Sequence, residues 1–365
     1  MKTKIFLSGF FLTIILVGFY SCKKESGTVQ ASVLRLSLPD VPFEYNAMQN
    51  TFPPRSNDLI TLGRVLFYDT HLSAGNSISC ASCHKQAIGF SDNTAFSRGF
   101  ENKLTGRNSI PIQNLGSFQG QPTSLFWDGR ESFLTSMVLK PITNHVEMGM
   151  NDDNAIAERV NKVPFYPELF AKAYDGDKTI TAVKIAEAIA SFCGQIKTTN
   201  TKFDLFNSGQ TKLSGLETEG MNLFFSKYNC GSCHQSTTIP SYGGFFTDFI
   251  NIGLDENYTD KGRGAQTGLE VDNGKFKVPS LRNIELTAPY MHDGRFATLV
   301  EVLDHYSHGI ANSANLDERL KGTNGLPLQM NISNQEKTAL IAFLNTLTDY
   351  TITQDVRFST PFISQ

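Results

Sequence analysis

Apolar residues recur at helical spacing over residues 57–68, 130–139, 152–162, 180–196 and 298–307. Two further helices carry a start signal as well. Ser214 with Glu217 opens one that runs to about Tyr228, and Ser333 with Glu336 opens another that runs to about Leu347. In each pair the two side chains can satisfy amides that the first helical turn leaves unpaired. Gly, Asn and Pro crowd residues 70–125 and 235–290, which predicts long loops, and strand patterns are scarce. The pattern predicts a mostly α protein whose loops wrap around something rigid.

It also repeats. Gly63-Arg64-Val65-Leu66-Phe67-Tyr68 has a counterpart in Gly220-Met221-Asn222-Leu223-Phe224-Phe225. Trp127-Asp128-Gly129-Arg130 matches His292-Asp293-Gly294-Arg295, and each Asp is followed six residues later by a Leu, Leu134 and Leu299. This order predicts an internal duplication: tandem domains over 40–205 and 206–350, with 351–365 as a C-terminal tail.

The N-terminus has a different pattern. Lys2 and Lys4 precede an apolar run from Ile5 to Tyr20, then Ser21-Cys22-Lys23-Lys24. A basic start, a short apolar core and a small residue before the cleavage point predict an export signal over residues 1–21. The run is about 16 residues, short of the roughly 20 that span a bilayer. Cys22 resembles the lipid-bearing first residue of a bacterial lipoprotein, with residues 22–39 as a tether; plain secretion is the alternative. The expected location is the periplasmic side of a Gram-negative envelope, with the lipid as the membrane contact.

Composition narrows the function. A net charge of −3 gives no basic surface for phosphates, so nucleic-acid binding is not expected. Six cysteines in an exported chain would suggest disulfides, but their spacing points elsewhere. Cys80 and Cys83 lie in Cys-Ala-Ser-Cys-His, Cys230 and Cys233 in Cys-Gly-Ser-Cys-His. Two thiols at this spacing reach both vinyl groups of a haem, and the following histidine ligates the iron from one face. A structural zinc site would want further Cys or His ligands nearby, and a redox pair a βαβ setting. Neither is present. Cys80, Cys83 and His84 are therefore expected to hold haem one, and Cys230, Cys233 and His234 haem two. Cys193, in an apolar helical stretch, reads as a buried thiol.

On these residues the chain resembles the bacterial di-haem cytochrome c peroxidases and their relative MauG. The matching text includes Leu-Phe-Tyr-Asp (66–69), Gly-Phe-Ser-Asp (89–92), Arg-Asn-Ser (107–109), Phe-Trp-Asp-Gly-Arg (126–130) and Glu-Met-Gly (147–149). It continues with both haem motifs and Thr-Ala-Pro-Tyr-Met-His-Asp-Gly-Arg (287–295), so the resemblance covers roughly residues 40–350. It implies two tandem cytochrome c-like domains: a peroxidatic haem in the first and an electron-relay haem in the second. Trp127 matches the aromatic ring between the haems, and Glu147 the distal acid–base that moves protons while the O–O bond breaks. Pro141 matches a pocket position. Met137 stands where a Gln often supports the Glu. The resemblance further implies a calcium ion on Asn108, Thr287 and Pro289, oxygen ligands suited to a hard cation, and a homodimer.

Two departures matter. Many members place a histidine about 16 residues after the first haem motif, where it blocks the peroxidatic iron; here that position is Phe100. An open haem one is expected, with His71 and His145 as substitute ligands. The relay haem usually has a Met on its far side, whereas here the position is Tyr306, as in MauG. A phenolate would favour ferric iron; His305, His308 or a distant Met are the alternatives. His292, Arg130 and Arg295 are candidates for contact with the haem propionates.

The leading expectation is a peroxidase that reduces hydrogen peroxide to water with electrons from a small donor, a cytochrome c or a cupredoxin. The alternative is a MauG-like oxidase that uses peroxide to oxidise residues of a partner protein. A plain electron carrier is the third reading, and Trp127 and Glu147 speak against it.

Overall fold

Asn57–Tyr68 forms helix α1 over the residues the apolar pattern marked, with Ser56 accepting from the Leu59 amide at 3.1 Å as its cap. The computed structural model describes residues 35–36, 56–115, 124–238 and 249–363, and Arg35–Ile363 form one compact unit. The export segment, Cys22 and most of the tether lie outside the described residues.

Nearly all the regular structure is helical. After α1 come α2 (Cys80–Cys83), α3 (Leu134–Thr143), α4 (Asp153–Asn161), α5 (Tyr166–Ala173), α6 (Ala182–Cys193) and α7 (Lys202–Asn207). They continue with α8 (Gly215–Asn222), α9 (Gly231–Thr238), α10 (Gly264–Thr267), α11 (Leu299–Asp304), α12 (Asn334–Asn345) and α13 (Thr351–Gln354). The strands are two-residue pairs, β1 (Arg35–Leu36) with β4 (Phe362–Ile363) and β2 (Phe249–Ile250) with β3 (Phe276–Lys277), both antiparallel.

Two helix pairs carry two hydrophobic cores. In the first, α1 lies on α6, and Leu62, Leu66, Phe67, Ile185, Ile189 and Phe192 are almost wholly buried. In the second, α8 lies on α12, around Phe224, Leu340, Phe343 and Leu347. Both crossings depend on a missing side chain. A Cβ on Gly63 would sit 1.8 Å from the Ala188 carbonyl oxygen, and one on Gly220 1.9 Å from that of Ala339. The repeated Gly in the sequence is thus a repeated close approach of helix backbones.

The second repeated motif folds alike in both copies. Gly129 and Gly294 have φ of +66° and +65°, and the turns are closed by the bridges Leu125–Glu131 and Tyr290–Phe296. The first of these turns explains why α3 starts at Leu134 rather than at residue 130: Arg130 is held in the turn by Asp128. Helix α5 lies outside the segments the apolar pattern marked; Pro167 sits in its first turn, where Pro is tolerated. The C-terminal segment packs on the first core, with Ile352 and Phe358 buried there and the Arg64 side chain donating to the Ser359 carbonyl at 2.7 Å.

Candidate functional site

Each haem motif winds into a helical turn. The His84 amide donates to the Cys80 carbonyl at 2.9 Å and the His234 amide to the Cys230 carbonyl at 3.0 Å, so both thiols and the imidazole cluster at one place. None of the five described cysteines is in a disulfide. Burial pushes the Cys80 and Cys230 thiols up to about 12 and Cys83 to about 11, so these three stay protonated at neutral pH. Among the described residues no group of three or more His, Cys, Asp or Glu side chains is placed to hold a metal ion. Cys193 is buried at the end of α6.

Both motif histidines are oriented by a backbone carbonyl. His84 Nδ1 lies 3.1 Å from the Phe90 carbonyl, with Ser109 Oγ at 3.3 Å, and His234 Nδ1 lies 3.3 Å from the Pro279 carbonyl. A ring whose Nδ1 proton is held by a carbonyl has its lone pair on Nε2, the tautomer that ligates a metal. Burial lowers both pKa values, His234 to about 4, so both rings stay neutral. Beside each is a cavity. His84 and Cys83 line one of about 390 Å³, and His234, Cys230 and Cys233 line another of about 230 Å³. Paired thiols, an oriented imidazole and an adjoining cavity fit a covalently attached haem in both places.

Trp127 and Asn108 line both cavities. The indole N–H donates to the Asn108 carbonyl at 2.9 Å, which fixes the ring between them. Arg107, which sequence reasoning passed over as part of a motif, clamps the same region. It donates to Asp128 at 2.6 Å and to both oxygens of Asp260 at 2.7 and 2.8 Å, tying together segments far apart in the chain.

In the first cavity the carboxylate of Glu147 shares the wall with Arg130, Met137 and Pro141. Burial raises the Glu147 pKa above its ordinary value, and the charge of Arg130 opposes this. Met137 gives the carboxylate no hydrogen bond, and Asn144 supplies one instead: its Nδ2 donates to Glu147 Oε1 at 2.9 Å. The only sequence signal for this partner is an Asn three residues before the Glu. Phe100 is absent from the cavity lining and packs against Gly149, where an added Cβ would meet its ring at 2.6 Å. Its amide donates to the Glu147 carbonyl at 2.7 Å, so it steadies the backbone of that residue. His71 pairs with Asp69 at 2.7 Å and His145 is exposed. Among the described residues, His84 is the one imidazole lining this cavity.

In the second cavity Tyr306 faces the interior from a π-helical turn, His305–Gly309, that continues α11. Such turns are frequent at functional sites because they redirect one side chain. Burial holds the phenol neutral, its pKa raised above the ordinary range, and no hydrogen bond to its hydroxyl is formed among the described residues. His305 Nε2 lies 2.9 Å from the Ile252 carbonyl and His308 is exposed; neither lines the cavity, whereas Met330 does. Thr287 and Pro289 line the cavity together with Asn108, whose Nδ2 donates to the Thr94 and Ala95 carbonyls at 3.1 and 3.3 Å. That leaves Asn108 Oδ1 as its oxygen for a cation. His292 stacks on Phe276 in the same wall, centroids 3.6 Å apart. Arg295 is committed to Asp255 and Asp293 and lies outside both linings, whereas Arg130 is in the first.

Fold and site together define a mostly helical protein with two cavities, each lined by a Cys-x-x-Cys-His segment. Residues 57–212 match the family model described as di-haem cytochrome c peroxidase. The chain is 32% identical to the methylamine utilization protein MauG of Methylorubrum extorquens, covering 92% of both chains. It is 33% identical to the cytochrome c551 peroxidase of Nitrosomonas europaea over 88% of this chain and 91% of that one. Among solved structures, a MauG-like protein associated with microbial copper homeostasis superposes with a TM-score of 0.75 at 32% identity, over 89% of this chain and 98% of the other. The diheme peroxidase BthA of Burkholderia thailandensis shares the fold, with a TM-score of 0.66 at 20% identity over 87% of this chain and 92% of its own. The chain belongs to the di-haem cytochrome c peroxidase and MauG family.

Proposed function

We propose that the protein reduces hydrogen peroxide to water at the His84 haem and takes the electrons from a small donor protein through the His234 haem. The observation that carries this reading is the first cavity: a half-buried, hydrogen-bonded carboxylate and, among the described residues, a single imidazole. When bound, the first haem supplies the iron at which the O–O bond opens, and the second stores and passes electrons.

The chain's own residues do the rest. Glu147 takes a proton from the inner oxygen of peroxide and delivers one to the outer oxygen, which leaves as water. Overall one peroxide, two protons and two electrons give two waters. A raised pKa suits the carboxyl to both halves of that transfer. Asn144 fixes its orientation and Phe100 its backbone. With phenylalanine in place of a blocking histidine, the site accepts peroxide without prior reduction. Trp127, fixed by the Asn108 carbonyl, is the conjugated ring through which the two sites communicate. We further assign Cys22 as a lipid anchor on an exported chain, and Asn108, Thr287 and Pro289 as the oxygens of a calcium site.

A second reading is favoured by Tyr306. Bound to iron, the Tyr306 phenol would give up its proton. A phenolate stabilises ferric iron where a thioether would raise the potential, and a relay centre of that kind suits a MauG-like oxidase that draws its electrons from residues of a partner protein. Stopped-flow mixing of the diferric protein with one equivalent of peroxide, followed by steady-state turnover with reduced cytochrome, separates the two. Rapid reaction with sustained donor oxidation supports the peroxidase. Rapid reaction whose spectral change persists, with little donor turnover, supports the second reading. No reaction in the diferric state contradicts both.

A further inference from the structure

Among the described residues, three line both cavities: Asn108, Trp127 and Lys277. The first two have roles above. Lys277 is the charged one.

Its position is set by the backbone. Lys277 ends the short strand β3, pairs across to Phe249 of β2, and donates its amide to the Trp127 carbonyl at 2.7 Å. The strand is thereby pinned to the residue that separates the cavities. The ammonium has no ion-pair or hydrogen-bond partner among the described residues, although acids line the first cavity with it. Asp128 and Asp260 are already taken by Arg107, and Asp128 also by Arg130. Glu147 is held by Asn144. The surrounding protein disfavours the charge and lowers the lysine to about 8, so the group stays charged at neutral pH at an energetic cost. A charge kept unpaired in such a place calls for an anion brought in from outside the chain.

We propose that Lys277 is a carboxylate-binding residue at the junction of the two cavities, pairing with a propionate of each haem and raising the reduction potential of both. This rests on the two-haem reading above. A haem carries two propionates, and a cation shared between two redox centres favours the reduced, less positive form of each. Lys277 would thus be a positioning residue for electron transfer, acting beside Trp127 and taking no proton from peroxide.

The test is spectroelectrochemical titration of purified holoprotein with Lys277→Met and Lys277→Arg variants. Haem content is measured first. Fewer than two haems per wild-type chain sinks the two-haem reading itself, whereas the claims about Lys277 are judged on protein carrying both. Lys277→Met is expected to keep both haems and their ligation while lowering each midpoint. The expected change is about tenfold in the ferrous-to-ferric ratio at fixed applied potential, or about 59 mV for one electron. Lys277→Arg is expected to restore most of it. Unmoved potentials, or a shift at one haem only, overturn the proposal. Should Lys277→Met fail to take up haem, resonance Raman spectra of the wild type serve instead. Propionate bending bands of both haems should report a charged hydrogen-bond donor, and its absence at either haem overturns the proposal.

Discussion

The two halves of the molecule are built alike and finished differently. Each has a helix pair crossing at a glycine, Gly63 on Ala188 and Gly220 on Ala339, and each has a haem motif whose histidine leans on a backbone carbonyl. Each also has an Asp-Gly-Arg turn with its glycine at positive φ. The far walls of the cavities diverge. The first presents Glu147 with Asn144 and Arg130; the second presents Tyr306 among Leu303, Met330 and Leu340. On the proposed reading, the shared scaffold would hold both irons, and a few residues opposite them would decide whether each meets a substrate or only a ligand.

The largest expected effect comes from removing the polar group that distinguishes the first wall. Glu147→Gln should slow the reaction of the diferric protein with peroxide by about 10²- to 10⁴-fold, the range for a positioned acid–base, with haem content unchanged. An unaltered stopped-flow rate would remove Glu147 from the mechanism. The shared scaffold is probed next. Gly63→Ala and Gly220→Ala each push a methyl into a helix carbonyl and should cost about 3 kcal/mol, at the upper end for overpacking. Denaturant unfolding that shows a loss for one and not the other would break the equivalence of the halves.

Tyr306→Met should make the second centre resemble the usual relay haem. Its midpoint is expected to rise by on the order of 0.1 V, part of the roughly 0.8 V that axial ligands command. A potentiometric titration that leaves the second haem unmoved would exclude Tyr306 as its ligand. The smallest effect belongs to Asn144→Ala, which should slow the peroxide reaction by about tenfold, as expected for one hydrogen bond to a charged group. The sign of its pH effect is definite. Burial holds Glu147 above 4.5, its ordinary value, so the wild-type rate falls as pH drops through that raised pKa and the base is protonated. Losing the Asn144 N–H removes support from the ionised form, so the acid limb of the pH–rate profile should move to higher pH.

How much of this was legible in the sequence varied with the range of the interaction. Helix α1 fell where the apolar pattern placed it, because a cap and an amphipathic face are local signals. The start of α3 did not, since Asp128 holds Arg130 in a turn that periodicity alone does not see. The two Cys-x-x-Cys-His segments were readable as candidate haem sites because covalent attachment would dictate residue type and spacing together. Glu147 was suggested by resemblance, but its support by Asn144 was hidden, because it depends on the turn that folds Asn144 back toward the carboxylate. Lys277 was hidden for a stronger reason: its meaning depends on two cavities meeting at one strand.

The central claim is that one iron has an open far side and the other a protein ligand. Electron paramagnetic resonance of the purified diferric protein, with haem content measured on the same sample, tests it most directly. Two haems per chain are expected, one giving a five-coordinate high-spin signal and the other a separate signal that changes in Tyr306→Phe. Two six-coordinate low-spin signals in the wild type would contradict the account.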